Sequence, residues 1–269
     1  MAYTLAPKTE ALTPYDPVEG EYRVRLDANE SFLLPTDTDR EKMARAAAEA
    51  ALNRYPDPLA TRLCEAFAAR YQVKPALVTA GNGSDELISI ILSTFLQKGE
   101  KVLTLSPDFS MYAFYTSITE TPCITLPKKP DMTVDVTAVI DTIRREGVRL
   151  LIFSNPCNPT SVGLPRDGVR RILRETDALV VLDEAYMDFW DQSMLGEVEA
   201  YDNLILLRTC SKALGMAALR VGFAVANPTL TGVIRAAKSP YNVNAVSQAM
   251  AAVVLENPAY HEIYRELLL

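Results

Sequence analysis

From Lys101 onward the chain alternates between two rhythms. Short unbroken apolar runs, "KVLTL" (101–105), "RLLIF" (149–153), "ALVVL" (178–182), "NLILL" (203–207) and "VGFAV" (221–225), are separated by longer stretches with helical spacing. A run that is apolar at every position, not at every second one, suits a strand buried on both faces. "DVTAVIDTIRR" and "RDGVRRILRET" read as two of the helices that would cover such strands. The pattern predicts an α/β fold with a mostly parallel central sheet flanked by helices.

The first 35 residues have a different texture. Pro7, Pro14, Pro17 and Pro35 fall in a stretch with little periodicity, which predicts an extended N-terminal arm lying on something else. "TDTDREKMARAAAEAAL" then offers Thr and Asp caps ahead of an alanine-rich helix, "RYPDP" breaks it, and "LATRLCEAFAARY" begins another. The turn-rich "AGNGSDE" leads into a helix at "DELISIILSTFLQ". After Pro240 two more helices are expected, "NAVSQAMAAVVLE" and "AYHEIYRELLL", the latter ending in three leucines that call for a partner surface. A length of 269 residues suits one large domain with a smaller companion.

Composition narrows the function classes. With 49% hydrophobic and 23% charged residues the chain has the balance of a globular protein able to bury a core. A net charge of -7 argues against the broad cationic surface that nucleic acid or an anionic membrane would demand, while leaving room for a local anion site. Cys64, Cys123, Cys157 and Cys210 are too widely and irregularly spaced for a disulfide framework or a CxxC pair, which points to a reducing cytosol. No apolar stretch approaches the ~20 residues of a membrane span. The N-terminus lacks the basic and apolar regions of a signal peptide, so a cytoplasmic location is expected. The single histidine, His261, excludes a multi-His zinc site and reads as a surface or packing residue.

In open α/β sheets a ligand sits beyond the carboxyl ends of the strands, so the residues just after each apolar run carry the most information. "RLLIF" is followed by "SNPCNPTSVG" with Asn155 and Asn158, "ALVVL" by "DEAY" with Asp183 and Tyr186, and "NLILL" by "RTCSK" with Thr209, Ser211 and Lys212. Singly, each has an ordinary explanation as a turn, a helix cap or a solvated charge. Together they bring an amide, a carboxylate, a phenol and an amine to one edge of the sheet. "GNGSDE" (81–86) adds two glycines that let backbone N–H groups converge, with Ser84 and Asp85 opening a helix whose positive end favours an anion. Thr209, Ser211 and the guanidinium of Arg220 could supply further donors to a phosphate. An amine able to bond an aldehyde, an acid for a ring nitrogen and a phosphate cradle form the donor set that pyridoxal phosphate requires.

At these residues the chain resembles the fold-type I pyridoxal-phosphate-dependent aminotransferases, and among them the histidinol-phosphate aminotransferases. The matching segments are "LDANES", "RYPDP", "GNGSDE", "SPDFSMY", "SNPCNPTSVG", "VVLDEAYMDF", "RTCSKALGMAALRVGF" and "PYNVNAVSQ", spread over residues 26 to 248. The resemblance implies that Lys212 bonds the cofactor aldehyde, that Asp183 pairs with the pyridine nitrogen, and that Asn158 and Tyr186 hold the ring oxygen. It places Ser84, Asp85, Thr209, Ser211 and Arg220 around the phosphate, although the Asp85 side chain is itself an anion and only its backbone N–H suits that role. Tyr112 matches an aromatic that stacks on the ring; on spacing alone it reads as a core or helix-face aromatic. Tyr55 matches a residue that reaches the cofactor phosphate of a neighbouring subunit, which implies a homodimer. Asn29 lies where the arm approaches substrate.

The implied reaction is transamination of L-histidinol phosphate with 2-oxoglutarate, in histidine biosynthesis. An aromatic amino-acid aminotransferase and a decarboxylase of phosphorylated amino acids would use the same cofactor parts, and a catalytically silent cofactor-binding or dimerisation scaffold is the alternative outside enzymology. The arm reads "NESF" where the family usually has an Asn-Glu-Asn-Pro type sequence. Family members usually continue for roughly another third of this length into a small α/β domain that carries an arginine for the substrate. The expected division is therefore an arm over 1–35, a cofactor-binding large domain over 36–243, and the beginning of a truncated small domain over 244–269, with that arginine lying beyond Leu269.

Overall fold

The protein is described by a computed structural model, which covers residues 3–10, 12–14, 16, 18 and 20–260. The described residues contain one seven-stranded sheet in the order β1-β7-β6-β5-β4-β2-β3. Its strands are β1 (Val78–Gly81), β2 (Lys101–Ser106), β3 (Cys123–Pro127), β4 (Val148–Ser154), β5 (Leu179–Asp183), β6 (Leu204–Thr209) and β7 (Gly222–Ala226). Strands β2 to β6 pair in parallel, whereas β7 runs antiparallel to both β6 and β1. The five apolar runs are strands within a residue or two of their expected limits, and the sheet is mostly parallel. Two strands, β1 and β3, were not legible as such: β1 is four residues ending in glycine, and β3 is a half-exposed edge strand ending in proline.

Both faces of the sheet are covered, and the side chains of successive strand residues enter different cores. Val102, Leu150, Ile152, Val181, Ile205, Leu207 and Ala224 pack with Leu87, Ile88, Ile91 and Leu92 of α4 (Ser84–Phe95), and with Ile234 from a helix nearer the C-terminus. Leu103, Leu151, Phe153, Val180, Leu182, Leu206 and Phe223 face the other way, into the larger core. This division explains why the strand sequences are apolar without alternation.

The helices that precede α4 are α1 (Pro7–Glu10), a single turn in the arm, α2 (Asp37–Ala48) and α3 (Thr61–Tyr71). After it come α5 (Met111–Ile118), α6 (Val136–Glu146), α7 (Arg166–Glu175), α8 (Pro228–Ala237) and α9 (Ala245–Glu256). Side-chain caps open several of these helices, among them the one the sequence offered after Pro35. Thr36 accepts the N–H of Asp39 at the start of α2, Asp135 that of Ala138 at α6, and Asn244 that of Ser247 at α9. Helix α9 lies against α2 and α3 and contributes Ala251, Ala252, Val254 and Leu255 to the larger core, so packing is continuous across residues 243 and 244. His261 and most of "AYHEIYRELLL" lie outside the described residues.

Candidate active site

The carboxyl ends of β4, β5 and β6, the amino end of β7, and the first turn of α4 meet at one edge of the sheet. A cavity of about 560 Å³ opens there, lined among others by Ser84, Asp85, Tyr112, Asn158, Asp183, Tyr186, Thr209, Ser211, Lys212 and Arg220. Arm residues 26 to 30, including Asn29, close one side of it. Of the strand-end and motif residues singled out in the sequence, Asn155 and Tyr55 are not in this wall. Asn155 is buried and exchanges hydrogen bonds with the Leu164 backbone at 3.0 and 2.6 Å. Tyr55 points elsewhere: it is 80% exposed and its ring stacks on Tyr241 with centroids 4.4 Å apart.

Asp183 ends β5 on the face shared with Val181, and it is only 4% exposed. Its Oδ2 accepts the phenol of Tyr112 at 2.9 Å and its Oδ1 accepts the N–H of Ala185 at 3.0 Å. Burial raises its pKa from the usual 3.8 to about 6, and the two donors hold back a larger rise. Tyr112 is itself fully buried in α5, edge-on to Phe109, and burial together with the Asp183 charge pushes its phenol well up. The helix-face reading of Tyr112 describes its packing, and its hydroxyl adds a contact to Asp183 that spacing did not suggest.

Lys212 follows β6 and reaches across the cavity to the arm. Its Nζ donates to the carbonyl of Ala28 at 2.8 Å and to that of Asn29 at 3.4 Å, and lies 5.7 Å from the centre of the Tyr186 ring. Burial lowers its pKa, opposed by Glu30 and aided by Arg220. Asn29, held at a positive φ of 51°, donates its amide to the Tyr186 hydroxyl at 3.0 Å and to Asn158 Oδ1 at 3.5 Å. Burial raises the Tyr186 phenol, with the Asn29 contact acting in the other direction. Ser154, which sequence reasoning passed over, also lines the cavity, and its hydroxyl accepts the N–H of Asn158 at 3.1 Å.

The other end of the cavity is an anion cradle made by close backbone approach. Gly83 caps α4 with a φ of 84°, and a Cβ there would lie 2.7 Å from Arg220 Nη2. A Cβ on Gly222 would overlap the backbone nitrogen of Ser84. Gly222 is thus required for β7 to sit against the free N–H groups of α4, and at Gly83 it is the positive φ that favours glycine. Arg220 itself adopts a left-handed conformation just ahead of β7, with its guanidinium 3.5 Å from Asp85 Oδ2. The other Asp85 oxygen, Oδ1, is buried and has no hydrogen-bond partner among the described residues. Thr209 and Ser211 hydroxyls hydrogen-bond each other at 3.0 Å beside this cradle. The site therefore opposes a half-buried amine and a buried acid, with donors for a doubly charged anion at one end.

Comparison with known proteins agrees with this chemistry. The profile of the family "Aminotransferase class I and II" matches residues 23–267. A histidinol-phosphate aminotransferase of Clostridium novyi (strain NT) is 42% identical over 244 residues, covering 91% of this chain and 68% of the relative. Another, from Chlorobaculum tepidum, is 40% identical over 257 residues, covering 94% and 73%. The crystal structure of histidinol-phosphate aminotransferase from Sinorhizobium meliloti in complex with pyridoxal-5'-phosphate superposes with a TM-score of 0.87 at 23% identity, over 97% of this chain and 73% of that one, a likeness of fold.

Proposed function

The chain belongs to the family of class I and II aminotransferases, and from that premise we propose that it transfers the amino group of L-histidinol phosphate to 2-oxoglutarate, using pyridoxal phosphate, in histidine biosynthesis. The observation that carries the reading is the meeting of Lys212, Asp183 and the α4–β7 anion cradle in one cavity. The substrate choice rests on relatives that share 42% and 40% of their residues with this chain over nine-tenths of its length and carry that activity in their names.

The residues present fit the cofactor. The first turn of α4, with Thr209, Ser211 and Arg220 beside it in the cavity wall, suits a compact phosphate, and the buried Asp183 offers a carboxylate where only a cation can repay its desolvation. When bound, pyridoxal phosphate supplies an aldehyde for an amine and a ring that delocalises the electron pair left on an adjacent carbon. Ionised Asp183 keeps a proton on the ring nitrogen, and Tyr112 and the Ala185 N–H hold that carboxylate in place. Asn158 and Tyr186 orient the ring oxygen. Ser84, the backbone of Asp85, Thr209, Ser211 and Arg220 bind the phosphate, with Tyr55 arriving from the second subunit of a homodimer. Lys212 would hold the cofactor aldehyde, and its amine when free, with a lowered pKa, would suit the general-base role of taking the proton at the substrate Cα. Asn29 and its neighbours close the site over the substrate.

Among the described residues no helix is long and apolar enough to cross a membrane. All four cysteines are free thiols, which suits the reducing cytoplasm in which we place the protein.

The test is direct. The protein mixed with pyridoxal phosphate, reduced with borohydride and mapped by peptide mass should carry the cofactor on Lys212. In a separate sample left unreduced, adding L-histidinol phosphate should convert the visible spectrum to that of the aminated cofactor, and 2-oxoglutarate should restore it. A spectrum that responds only to aromatic amino acids, or release of carbon dioxide, would replace the substrate assignment. An adduct that no amine discharges would leave a silent scaffold.

A further inference from the structure

Behind the cavity, on the opposite face of the sheet, lies a second polar cluster that neither the sequence motifs nor the proposed chemistry uses. Strand alternation puts it there. Asp183 and Thr209 share the face of Val181 and Leu207, so Glu184 and Arg208, one residue away from each, face the larger core with Leu182 and Leu206. Glu184 is 0% and Arg208 5% exposed.

All three nitrogens of the Arg208 fork are engaged. Nε donates to Glu184 Oε2 at 3.0 Å, Nη1 to Asp188 Oδ1 at 3.1 Å, and Nη2 to Ser193 Oγ at 3.0 Å. Ser193 in turn donates to Glu184 Oε2 at 2.7 Å, and the N–H of Met194 donates to Glu184 Oε1 at 2.8 Å. Tyr71, from the end of α3, lies under the guanidinium at 5.1 Å and gives its hydroxyl to Asp188 Oδ2 at 3.2 Å. The backbone N–H of Glu184 bonds the carbonyl of Leu207, locking β5 to β6 at the same level.

The sequence positions give the cluster its meaning. Glu184 follows Asp183, Asp188 is two residues beyond Tyr186, and Arg208 precedes Thr209 by one and Lys212 by four. Each charged member is therefore within a few backbone bonds of a group assigned to the cofactor. We propose that Arg208 is a positioning residue: its ion pairs with Glu184 and Asp188 fix the carboxyl ends of β5 and β6 relative to each other, and so set how Asp183, Tyr186 and Lys212 converge on the cofactor. A buried cation between two buried anions is a costly way to hold a fold, since apolar side chains of equal volume serve stability as well; a fixed geometry across two strand ends is what a forked, planar donor supplies and they do not.

This inference rests on the cofactor reading above, and one set of measurements separates the two. In the full-length protein Arg208→Met, Arg208→Lys and Glu184→Gln are compared for melting temperature, cofactor dissociation constant and the visible circular dichroism of bound cofactor, which reports its orientation. Positioning predicts a dissociation constant raised about tenfold or more and an altered visible dichroism in every variant that folds, with Arg208→Lys nearer to wild type than Arg208→Met. If Arg208→Met does not fold, the two milder variants decide. Folded variants with lowered melting temperature but unchanged cofactor affinity and dichroism would show a purely structural cluster and overturn the proposal. Failure of the unaltered protein to take up cofactor on Lys212 would instead remove the reading beneath it.

Discussion

Asp183 is the residue at which fold and chemistry compete most directly. Its carboxyl titrates at about 6 in the folded chain against 3.8 when unperturbed. The folded state therefore holds the proton over an interval in which the unfolded state has lost it. Stability falls as pH rises through that interval, and at neutral pH the buried charge costs about 3 kcal/mol in the cofactor-free protein. Asp183→Asn keeps one acceptor oxygen for the Ala185 N–H, presents its NH2 to the Tyr112 hydroxyl, which can accept in place of donating, and removes the charge. It should raise the melting temperature of the cofactor-free protein at pH 7 by several degrees, with little change at pH 4. The same variant should lower transamination by at least about hundredfold, because an amide cannot keep the ring nitrogen protonated. Thermal scans at the two pH values and a turnover assay check both halves; a melting temperature that drops at pH 7 would contradict the burial argument.

At the scale of elements, the cradle depends on β7 and α4 touching through glycine. Gly222→Ala would press a methyl group into the backbone at Ser84, parting the strand from the helix start. An overpacked contact of this kind costs about 1 to 3 kcal/mol. The expected signature is a loss of affinity for pyridoxal phosphate larger than the loss for pyridoxal, which lacks the phosphate, measured by fluorescence titration of each. Equal losses for both would place the damage elsewhere. These elements also show what a sequence can disclose. The β2, β4, β5, β6 and β7 runs announced themselves because burial on two faces leaves no polar position to confuse the period. Strand β1 reads as part of the glycine turn that follows it, α5 begins without a side-chain cap, and α8 carries Gly232 mid-helix. The residues at the strand ends were legible because the edge of a parallel sheet is a known place to look. Arg208 was not: it sat in "RTCSK" as one more charge, and its partners Tyr71, Glu184, Asp188 and Ser193 come from elsewhere in the chain.

For the whole molecule, the separation of Tyr55 from the cavity of its own chain frames the proposed homodimer. Each site would join Lys212 of one subunit to Tyr55 of the other. Two inactive proteins, Lys212→Ala and Tyr55→Ala, when mixed and allowed to exchange subunits, should then form hybrids with one intact site. Recovery of activity on mixing, following the hybrid fraction separated by charge-tagged chromatography, is the expected outcome. Hybrids that stay as inactive as their parents would mean that Tyr55 serves only its own subunit.

Strand β7 reverses direction between β6 and β1, and that reversal has a consequence for how the chain tolerates change. Every other strand bordering the cavity presents its outgoing end, where loops are free to lengthen. Here it is the incoming end that meets the ligand edge, so the segment from Ser211 to Gly222 is a tether fixed at both extremities. Insertions into that span would misplace Arg220, while insertions where β7 departs, after Ala226, would be spent on the far rim and leave the phosphate end undisturbed.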